Sequence, residues 1–421
     1  MRICRILQSL PSAASPGGNI GIYRLAQYIP EPCLLLARAA DTYPPLPSHV
    51  ELVPLALRDS TMPAGLRAGV FHPGVGPVGR ARVQAHLIAR TLRYHGRAVA
   101  VALREARRFR PDLVVCHSLQ RLVYGVAIRA VVRCPLVLYL HNSSEVEALR
   151  TLPFLRLLLR IPDRVAAVSP DIARQLTTWL PEARIWLTST GVDTDRFSNW
   201  GRPRRRQLVT VAHLKWTKGY DVLLEAVQQV FLRLPDYRLL VVGDGEERER
   251  ITRDVHRRGL QEHVVLTGVL PRAEVVRVLN ESRLFVLASI HEGLPKALLE
   301  ALACGTPAVV TDRCNAEGLI EATGVSVPAG DPAAFADAVT ALLTDEARWQ
   351  RCSERSPEVA ARYDWRRVAA RDYALYRMLL APPAAGDGVP PTKGSRLGAA
   401  RPAGRRAGRD VTVDDPARLA P

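Results

Sequence analysis

Two glutamates stand eight residues apart in EGLPKALLEALACGTPAV, residues 292–309. Between Ala297 and Cys304 every side chain except that of Glu300 is apolar, and burying an unpaired carboxylate there is strongly unfavourable. Either a neighbouring arginine or the vicinal hydroxyls of a bound ribose would satisfy Glu300. For an isolated glutamate in a helix the arginine is the simpler expectation.

The residues just before this helix have the chemistry of an anion site. Pro295 suits a first helical position, so Glu292 and Gly293 are predicted in the preceding loop. The N–H groups at a helix start, with the helix dipole behind them, attract anions. We therefore expect Glu292 at a crevice floor, beside bound phosphates.

Three further loops hold candidate ligand-binding residues. In VAHLKWTKG, Lys218 follows a strand and can meet a diphosphate as a point charge, or can simply be solvated. Gly243 in VVGDGEE permits close backbone approach to a ligand or makes a tight turn. Gly17 and Gly18 in SPGGN follow the first strand, where a loop closes over phosphate or forms only a turn.

A histidine ends another apolar run. His141 in LVLYLHNSSEVE is expected at a strand end and thus beside a crevice. It could donate a hydrogen bond to a substrate hydroxyl or polarise a leaving phosphate. On local grounds, a histidine with its hydrogen bonds satisfied at the strand end is equally consistent.

The elements that must position these residues are short strands alternating with helices. Apolar runs such as LVVC, LVLYL, LVTV, LLVV and FVLA recur with helical patterns between them, which predicts α/β domains with parallel sheets covered on both faces. With 421 residues, two domains are expected. We predict domains over 1–195 and 207–364, a linker over 196–206, a terminal helix over 365–381 packing back toward the first domain, and a disordered basic tail over 382–421.

The net charge of +17 lies mainly in the first half, where residues 1–200 carry 25 arginines against 13 acidic residues. Such asymmetry indicates an anionic partner, although biased codon usage would also produce it. Two arginine-rich stretches with apolar residues at helical spacing, 80–111 and 149–162, predict attachment to an anionic membrane face. Ordinary helices with leucines packed on the sheet are the alternative, favoured slightly for 149–162.

The cysteines and the start of the chain indicate a cytoplasmic protein. Seven cysteines without any C-x-x-C pair argue against a disulfide framework and a zinc site. The first residues are too polar for a signal peptide, and apolar runs are too short to span a membrane. A nucleic-acid-binding protein is a remote alternative, since aromatic residues make up only 6% of the chain.

These motifs together resemble the retaining glycosyltransferases of family 4, over roughly residues 1–381. The family pattern E-G-x-P-x-x-x-x-E-A-x-A-x-G-x-P-x-V is matched from Glu292 onward. Looser matches are VGDGEE, VVLTGV, PDLVVCHS, DRVAAVSPDI and TGVDTDRF, in the family's order. The resemblance implies the GT-B fold, in which two facing Rossmann-like domains enclose a deep crevice, the first serving the acceptor and the second a nucleotide-sugar.

The resemblance also implies roles for the residues above. Glu300 would bind the ribose of the donor, Lys218 its diphosphate, and Glu292 the donor sugar near Gly293 and Leu294. The remaining candidates are assigned in the same way: His141 beside the transferring sugar, with Gly17, Gly18 and Gly243 near the donor. No metal or other cofactor is implied.

Two departures from the family pattern change what is expected. The usual Gly-Arg before Leu214 is Ala212-His213, so a titratable imidazole would be the second cation on the diphosphate. In a later loop Cys314 and Asn315 replace the usual glycines, and the contacts of that loop are open.

The expected reaction is transfer of a sugar to a hydroxyl of a lipid-linked or saccharide acceptor with retained configuration, in cell-surface polysaccharide or glycolipid synthesis. The expected location is cytoplasmic, with peripheral attachment to the inner membrane face. A sugar-nucleotide epimerase or a phosphorylase of the same fold is the alternative.

Overall fold

The computed structural model describes residues 1–9, 20–38, 45–55, 96–141, 143–316 and 318–381. Within these ranges the chain forms two parallel sheets flanked by helices. Strands such as Leu113–Cys116 and Leu136–Leu140 are buried at every position. Continuous burial is typical of parallel strands with helices on both faces, as the apolar runs predicted.

The first sheet is built by strands β1 to β7 in the order β3-β2-β1-β4-β5-β6-β7. The strands are β1 Ile3–Ser9, β2 Cys33–Arg38, β3 Val50–Leu55, β4 Leu113–Cys116, β5 Leu136–Leu140, β6 Arg164–Ala167 and β7 Ile185–Leu187.

The second sheet has the order β10-β9-β8-β11-β12-β13. Its strands are β8 Arg205–Val211, β9 Arg238–Val242, β10 Val264–Gly268, β11 Ser282–Leu287, β12 Ala308–Thr311 and β13 Gly324–Val327. Both orders are those of a doubly wound sheet, in which the strand order reverses beside the first strand and ligands bind outside the carboxyl ends at that point.

Helices cover both sheets. They are Ile20–Tyr28, 96–109, Leu122–Val132, Ser143–Thr151, Pro170–Thr177, Tyr220–Arg233, Arg248–Arg257, Arg272–Glu281, Lys296–Ala303, Pro332–Thr344, Glu346–Ala361 and Trp365–Leu380, with a 3-10 segment at Pro153–Arg160. No helix among the residues described is long and apolar enough to cross a membrane.

The last helix, Trp365–Leu380, packs on the first sheet although it follows the second in sequence. Trp365 and Tyr376 belong to the same buried cluster as Val137 and Tyr139 of β5. The Tyr139 and Tyr376 hydroxyls lie 2.8 Å apart in a buried hydrogen bond. This helix therefore ties the end of the second half to the first sheet.

The point at which the strand order of each sheet reverses determines which loops lie next to each other. In the second sheet the reversal lies between β8 and β11, whose following loops carry Lys218 and Glu292. In the first sheet, β4 and β5 lead into His117 and His141. Gly17, Gly18, the basic stretch up to residue 95 and the tail predicted as disordered lie outside the described residues.

Candidate active site

Lys218 and Glu292 form an ion pair where the loops after β8 and β11 meet. Gly219 has φ +61°, and a Cβ there would overlap the carbonyl oxygen of Ala288, so a glycine lets the loops touch. The Ile290 N–H donates to the Thr217 carbonyl at 2.9 Å. As a result Lys218 Nζ contacts Glu292 Oε1, with side chains only 13% and 15% exposed.

Glu292 is held by two further contacts. Ser289 Oγ donates to Glu292 Oε1 at 3.2 Å, and Asn315 Nδ2 donates to the Glu292 carbonyl at 2.6 Å. Asn315 has φ +50°, a left-handed conformation that asparagine tolerates better than most residues. This explains how asparagine can stand where the family pattern has glycine, and it identifies what that loop contacts.

Glu300 is paired with an arginine, so its carboxylate is satisfied in the protein without a bound nucleotide. Its side chain is 8% exposed, and Arg272 Nη2 donates to Glu300 Oε1 at 2.7 Å. The Arg272 guanidinium also lies 4.8 Å from the ring centre of Phe197. The alternative partner named from the sequence is therefore present, and the ribose-binding role remains a prediction.

Lys296 is a site residue that the sequence reasoning missed. It is the first residue of the helix that contains Glu300, after Pro295, which is the N-cap and not the first helical residue as predicted. Burial lowers the pKa of Lys296 to about 8, while nearby Glu300 opposes this shift and Arg272 adds to it. The lysine directly after Pro295 in the motif EGLPK is the signal in the sequence that identifies this position.

His141 meets the EGLP loop from the opposite sheet. A Cβ on Gly293 would overlap the His141 carbonyl oxygen and would come within 3.3 Å of Val168, so only glycine allows this approach. The His141 N–H donates to Glu145 Oε2 at 3.0 Å. The structure thus brings His141 and the loop of Glu292 together, as the crevice prediction requires.

His141 also pairs with a second histidine that the sequence reasoning did not single out. His117 Nδ1 lies 3.1 Å from His141 Nε2, and the rings are stacked with centroids 5.3 Å apart. Burial, with the charge of Lys296 in addition, lowers the pKa of His141 to about 4. Burial, His141 and Arg5 lower the pKa of His117 well below its usual value. Both imidazoles are neutral at pH 7.

This histidine pair predicts a pH-dependent stability. Because the folded pKa is below the unfolded value of about 6.5, the unfolded chain binds more protons, and the free energy of unfolding falls as pH drops from 6.5 toward 4. Each histidine contributes a slope of up to about 1.4 kcal/mol per pH unit. Urea unfolding at pH 7, 6 and 5 should show a smaller slope in His141→Gln. The exposed His256→Gln is the control, and an unchanged slope in His141→Gln would contradict the prediction.

Three of the other predicted donor-binding residues, Gly243, Leu294 and His213, are among the residues that the structure describes. Gly243 has φ +137° and packs against the Ala212 carbonyl, where a Cβ would overlap, so its geometry needs glycine. Leu294 is buried in the core beside the site. His213 is 58% exposed, with Nδ1 3.5 Å from Glu246 Oε2. Its role on a diphosphate remains a prediction.

Across the residues that the structure describes, no three His, Cys, Asp or Glu side chains are grouped so that they could hold a metal ion. All seven cysteines are buried and none is in a disulfide. The charged side chains placed at the site include Lys218, Glu292, Lys296, Glu145 and the Arg272–Glu300 pair.

Two doubly wound parallel sheets, with charged loops at the reversal point of one and histidines at strand ends of the other, define the GT-B class of glycosyltransferase folds. Solved structures agree. Sucrose-phosphate synthase from Thermosynechococcus elongatus matches with a TM-score of 0.72 and 20% identity, covering 90% of this chain and 98% of that one. Anabaena HepE in complex with UDP and glucose matches with a TM-score of 0.69 and 17% identity, covering 90% and 100%.

Sequence comparison identifies the family. Residues 56–196 match the model described as Glycosyltransferase Family 4, and residues 192–359 match that of Glycosyl transferases group 1. The chain belongs to the family 4 glycosyltransferases.

Curated relatives match over part of their length. A 2-deoxystreptamine N-acetyl-D-glucosaminyltransferase of Streptomyces fradiae is 32% identical over 58% of this chain and 55% of its own. A phosphatidyl-myo-inositol mannosyltransferase of Mycobacterium leprae is 34% identical over 38% and 42%. A putative colanic acid glycosyltransferase, WcaL of Escherichia coli, is 29% identical over 59% and 66%. The matches thus span about half the length of these relatives.

Proposed function

We propose that the protein transfers a sugar from a nucleoside-diphosphate sugar to an acceptor hydroxyl, with release of the nucleoside diphosphate and retention of the anomeric configuration. The observation that carries this proposal is the Lys218–Glu292 pair at the reversal point of the second sheet, facing His141 of the first. Glycosyl transfer needs a cation for the leaving diphosphate and polar groups for the sugar, and these loops supply both.

The chemistry requires stabilisation of charge on the departing diphosphate, because the transition state resembles an oxocarbenium ion separating from it. Lys218 and the N-terminus of the helix that begins at Lys296 are the groups we assign to this task, with His213 as an outer cation. Preorganised groups of this kind contribute about 2.7–4 kcal/mol each in enzymes where they have been measured. In this proposal the bound diphosphate replaces Glu292 as the partner of some of the N–H groups of the Lys218 ammonium.

Retention of configuration does not require a covalent intermediate on Glu292. A carboxylate oxygen engaged by Lys218 and by the Ser289 hydroxyl is a poor nucleophile, because both contacts stabilise its negative charge. We therefore propose that Glu292 binds the sugar hydroxyls. The acceptor hydroxyl attacks on the same face from which the diphosphate leaves, assisted by the leaving phosphate.

The acceptor side rests on the relatives. Their names include a phosphatidyl-myo-inositol mannosyltransferase and a colanic acid glycosyltransferase. We propose a lipid-linked or saccharide acceptor in cell-surface polysaccharide or glycolipid synthesis, used by a cytoplasmic enzyme at the inner membrane face.

The decisive test is a thermal-shift panel of UDP-, GDP-, ADP- and dTDP-sugars, followed by product analysis with candidate acceptors and with EDTA present. Stabilisation by one donor and sugar transfer that survives EDTA are the expected results. Epimerised donor would replace the proposal with an epimerase, and sugar 1-phosphate formed with added phosphate would indicate a phosphorylase. Binding of no donor, together with binding of a DNA duplex, would favour a nucleic-acid-binding protein.

Membrane attachment is assigned to the 3-10 segment Pro153–Arg160. Part of its apolar surface is internal, since Leu159 is fully buried and Leu155 and Leu158 pack against the core of the first sheet. Phe154 and Leu157 are instead 39% and 60% exposed. Arginines at 150, 156 and 160 flank them, and each basic residue near an anionic surface contributes about 1 kcal/mol.

Co-sedimentation with anionic vesicles tests this surface. At low salt the wild-type chain is expected to sediment with vesicles, and the double variant Phe154→Ala/Leu157→Ala to lose about tenfold in affinity, since apolar insertion and charge act together. Leu232→Ala, at an 82% exposed position on a helix of the second sheet, is the control. Failure of the wild-type chain to sediment even at low salt would remove the membrane from the proposal.

A further inference from the structure

A row of three side chains, those of Arg5, His117 and His141, runs from the first strand to the candidate site; Arg5 and His117 are buried and His141 is partly buried. Arg5 on β1 is fully buried, and its Nη1 lies 3.5 Å from His117 Nε2. His117 Nδ1 lies 3.1 Å from His141 Nε2. The Tyr139 ring is tilted against that of His117, with centroids 4.9 Å apart, and stacked on that of His141, with centroids 6.0 Å apart.

The hydrogen bonds along the row have a direction, because the guanidinium of Arg5 can only donate. A guanidinium is permanently charged and has no acceptor, so a proton on His117 Nε2 would point at a cation. The proton of the neutral His117 therefore belongs on Nδ1, facing His141 Nε2. That N–H must donate, since two N–H groups cannot face each other at 3.1 Å. His141 Nε2 is then the acceptor, and the proton of His141 is on Nδ1.

We propose that His117 and Arg5 are positioning residues that hold His141 as the Nδ1–H tautomer, so that its Nδ1 donates to an oxygen of the transferring sugar or the leaving phosphate. The role of the Nδ1–H in transfer rests on the proposed function. The tautomer itself does not, because it follows from contacts within the first sheet.

The surroundings of His141 favour a neutral ring. Among the residues that the structure describes, two charged groups act near it: Lys296 from the second half of the chain and Glu145, whose carboxylate accepts from the His141 backbone N–H. Burial opposes a second proton on the imidazole, and the charge of Lys296 acts in the same direction. The neutral ring therefore carries one proton, and the contact with His117 selects the nitrogen that holds it.

The tautomer can be measured directly in protein labelled with ¹⁵N-histidine. In wild type without ligand, the His141 Nδ1 resonance should have the shift of a protonated nitrogen and Nε2 that of an unprotonated one, with the assignment made by His141→Asn. A protonated Nε2 in wild type overturns the proposal, whatever the activity. This measurement therefore distinguishes its failure from failure of the proposed function.

Variants test the two positioning residues. His117→Phe keeps a ring but removes the donor, so the His141 signals should move toward the Nε2–H form while kcat falls about 10- to 100-fold with little change in donor KM. Arg5→Lys keeps a cation facing His117 and should preserve the wild-type tautomer, whereas Arg5→Met should not. His263→Phe removes a stacked histidine of the second sheet and is the control. Loss of turnover in His117→Phe with unchanged His141 signals would overturn the positioning role of His117.

Discussion

Replacing Glu292 with Gln is expected to lower kcat by about 10²- to 10³-fold while the protein remains folded. Gln keeps the size of the side chain and can still accept from Ser289, but it removes the charge that holds Lys218 in place. It also weakens the hydrogen bonds proposed to the sugar hydroxyls, in the range seen when one preorganised group is removed from an active site. Steady-state kinetics with the donor found in the panel measures the effect.

The control for this change is Glu281→Gln, which removes a carboxylate from an ion pair with Arg277 directly before β11, at the opposite end of that strand from the loop of Glu292. Intact-mass spectrometry of wild type with donor alone completes the test. A glycosyl adduct on wild type would show that Glu292 or another group acts as a nucleophile, contrary to the role assigned here. A Glu292→Gln variant with nearly wild-type kcat would contradict any role in the reaction.

Replacing Glu300 with Gln is expected to weaken nucleotide binding by about 10- to 100-fold, since hydrogen bonds to a charged group contribute about 1.5–3 kcal/mol. The same change leaves Arg272 without its carboxylate and should lower the thermal stability as well. Isothermal titration with the nucleoside diphosphate, and with its 2′-deoxy analogue, separates the two effects.

The ribose role and the ion-pair role predict different outcomes for the analogue. If Glu300 binds ribose, wild type should discriminate against the 2′-deoxy nucleotide and Glu300→Gln should lose most of that discrimination. Arg272→Met is the matched variant, because it breaks the same ion pair but leaves the carboxylate. Equal discrimination in wild type, Glu300→Gln and Arg272→Met would reduce Glu300 to a structural partner of Arg272.

Local patterns in the sequence were sufficient for the fold and for the loops of the site. Continuous apolar runs predicted parallel strands, and the structure confirms them, because a strand buried on both faces has no polar side to display. The motif around Glu292 and the loop of Lys218 were identifiable because each directly follows a strand. In a parallel sheet, such loops gather at one edge.

Only the tertiary structure decided which side chains pair. Arg272 reaches Glu300 from 28 residues away, Lys218 reaches Glu292 from 74, and His117 reaches His141 from a neighbouring strand. The spacing of residues along the sequence does not show which of these side chains are close in space, because that depends on the order of the strands in the sheet. The sequence by itself thus determined the class of fold and the candidate loops, while packing decided the partner of each buried charge and the tautomer we infer for His141.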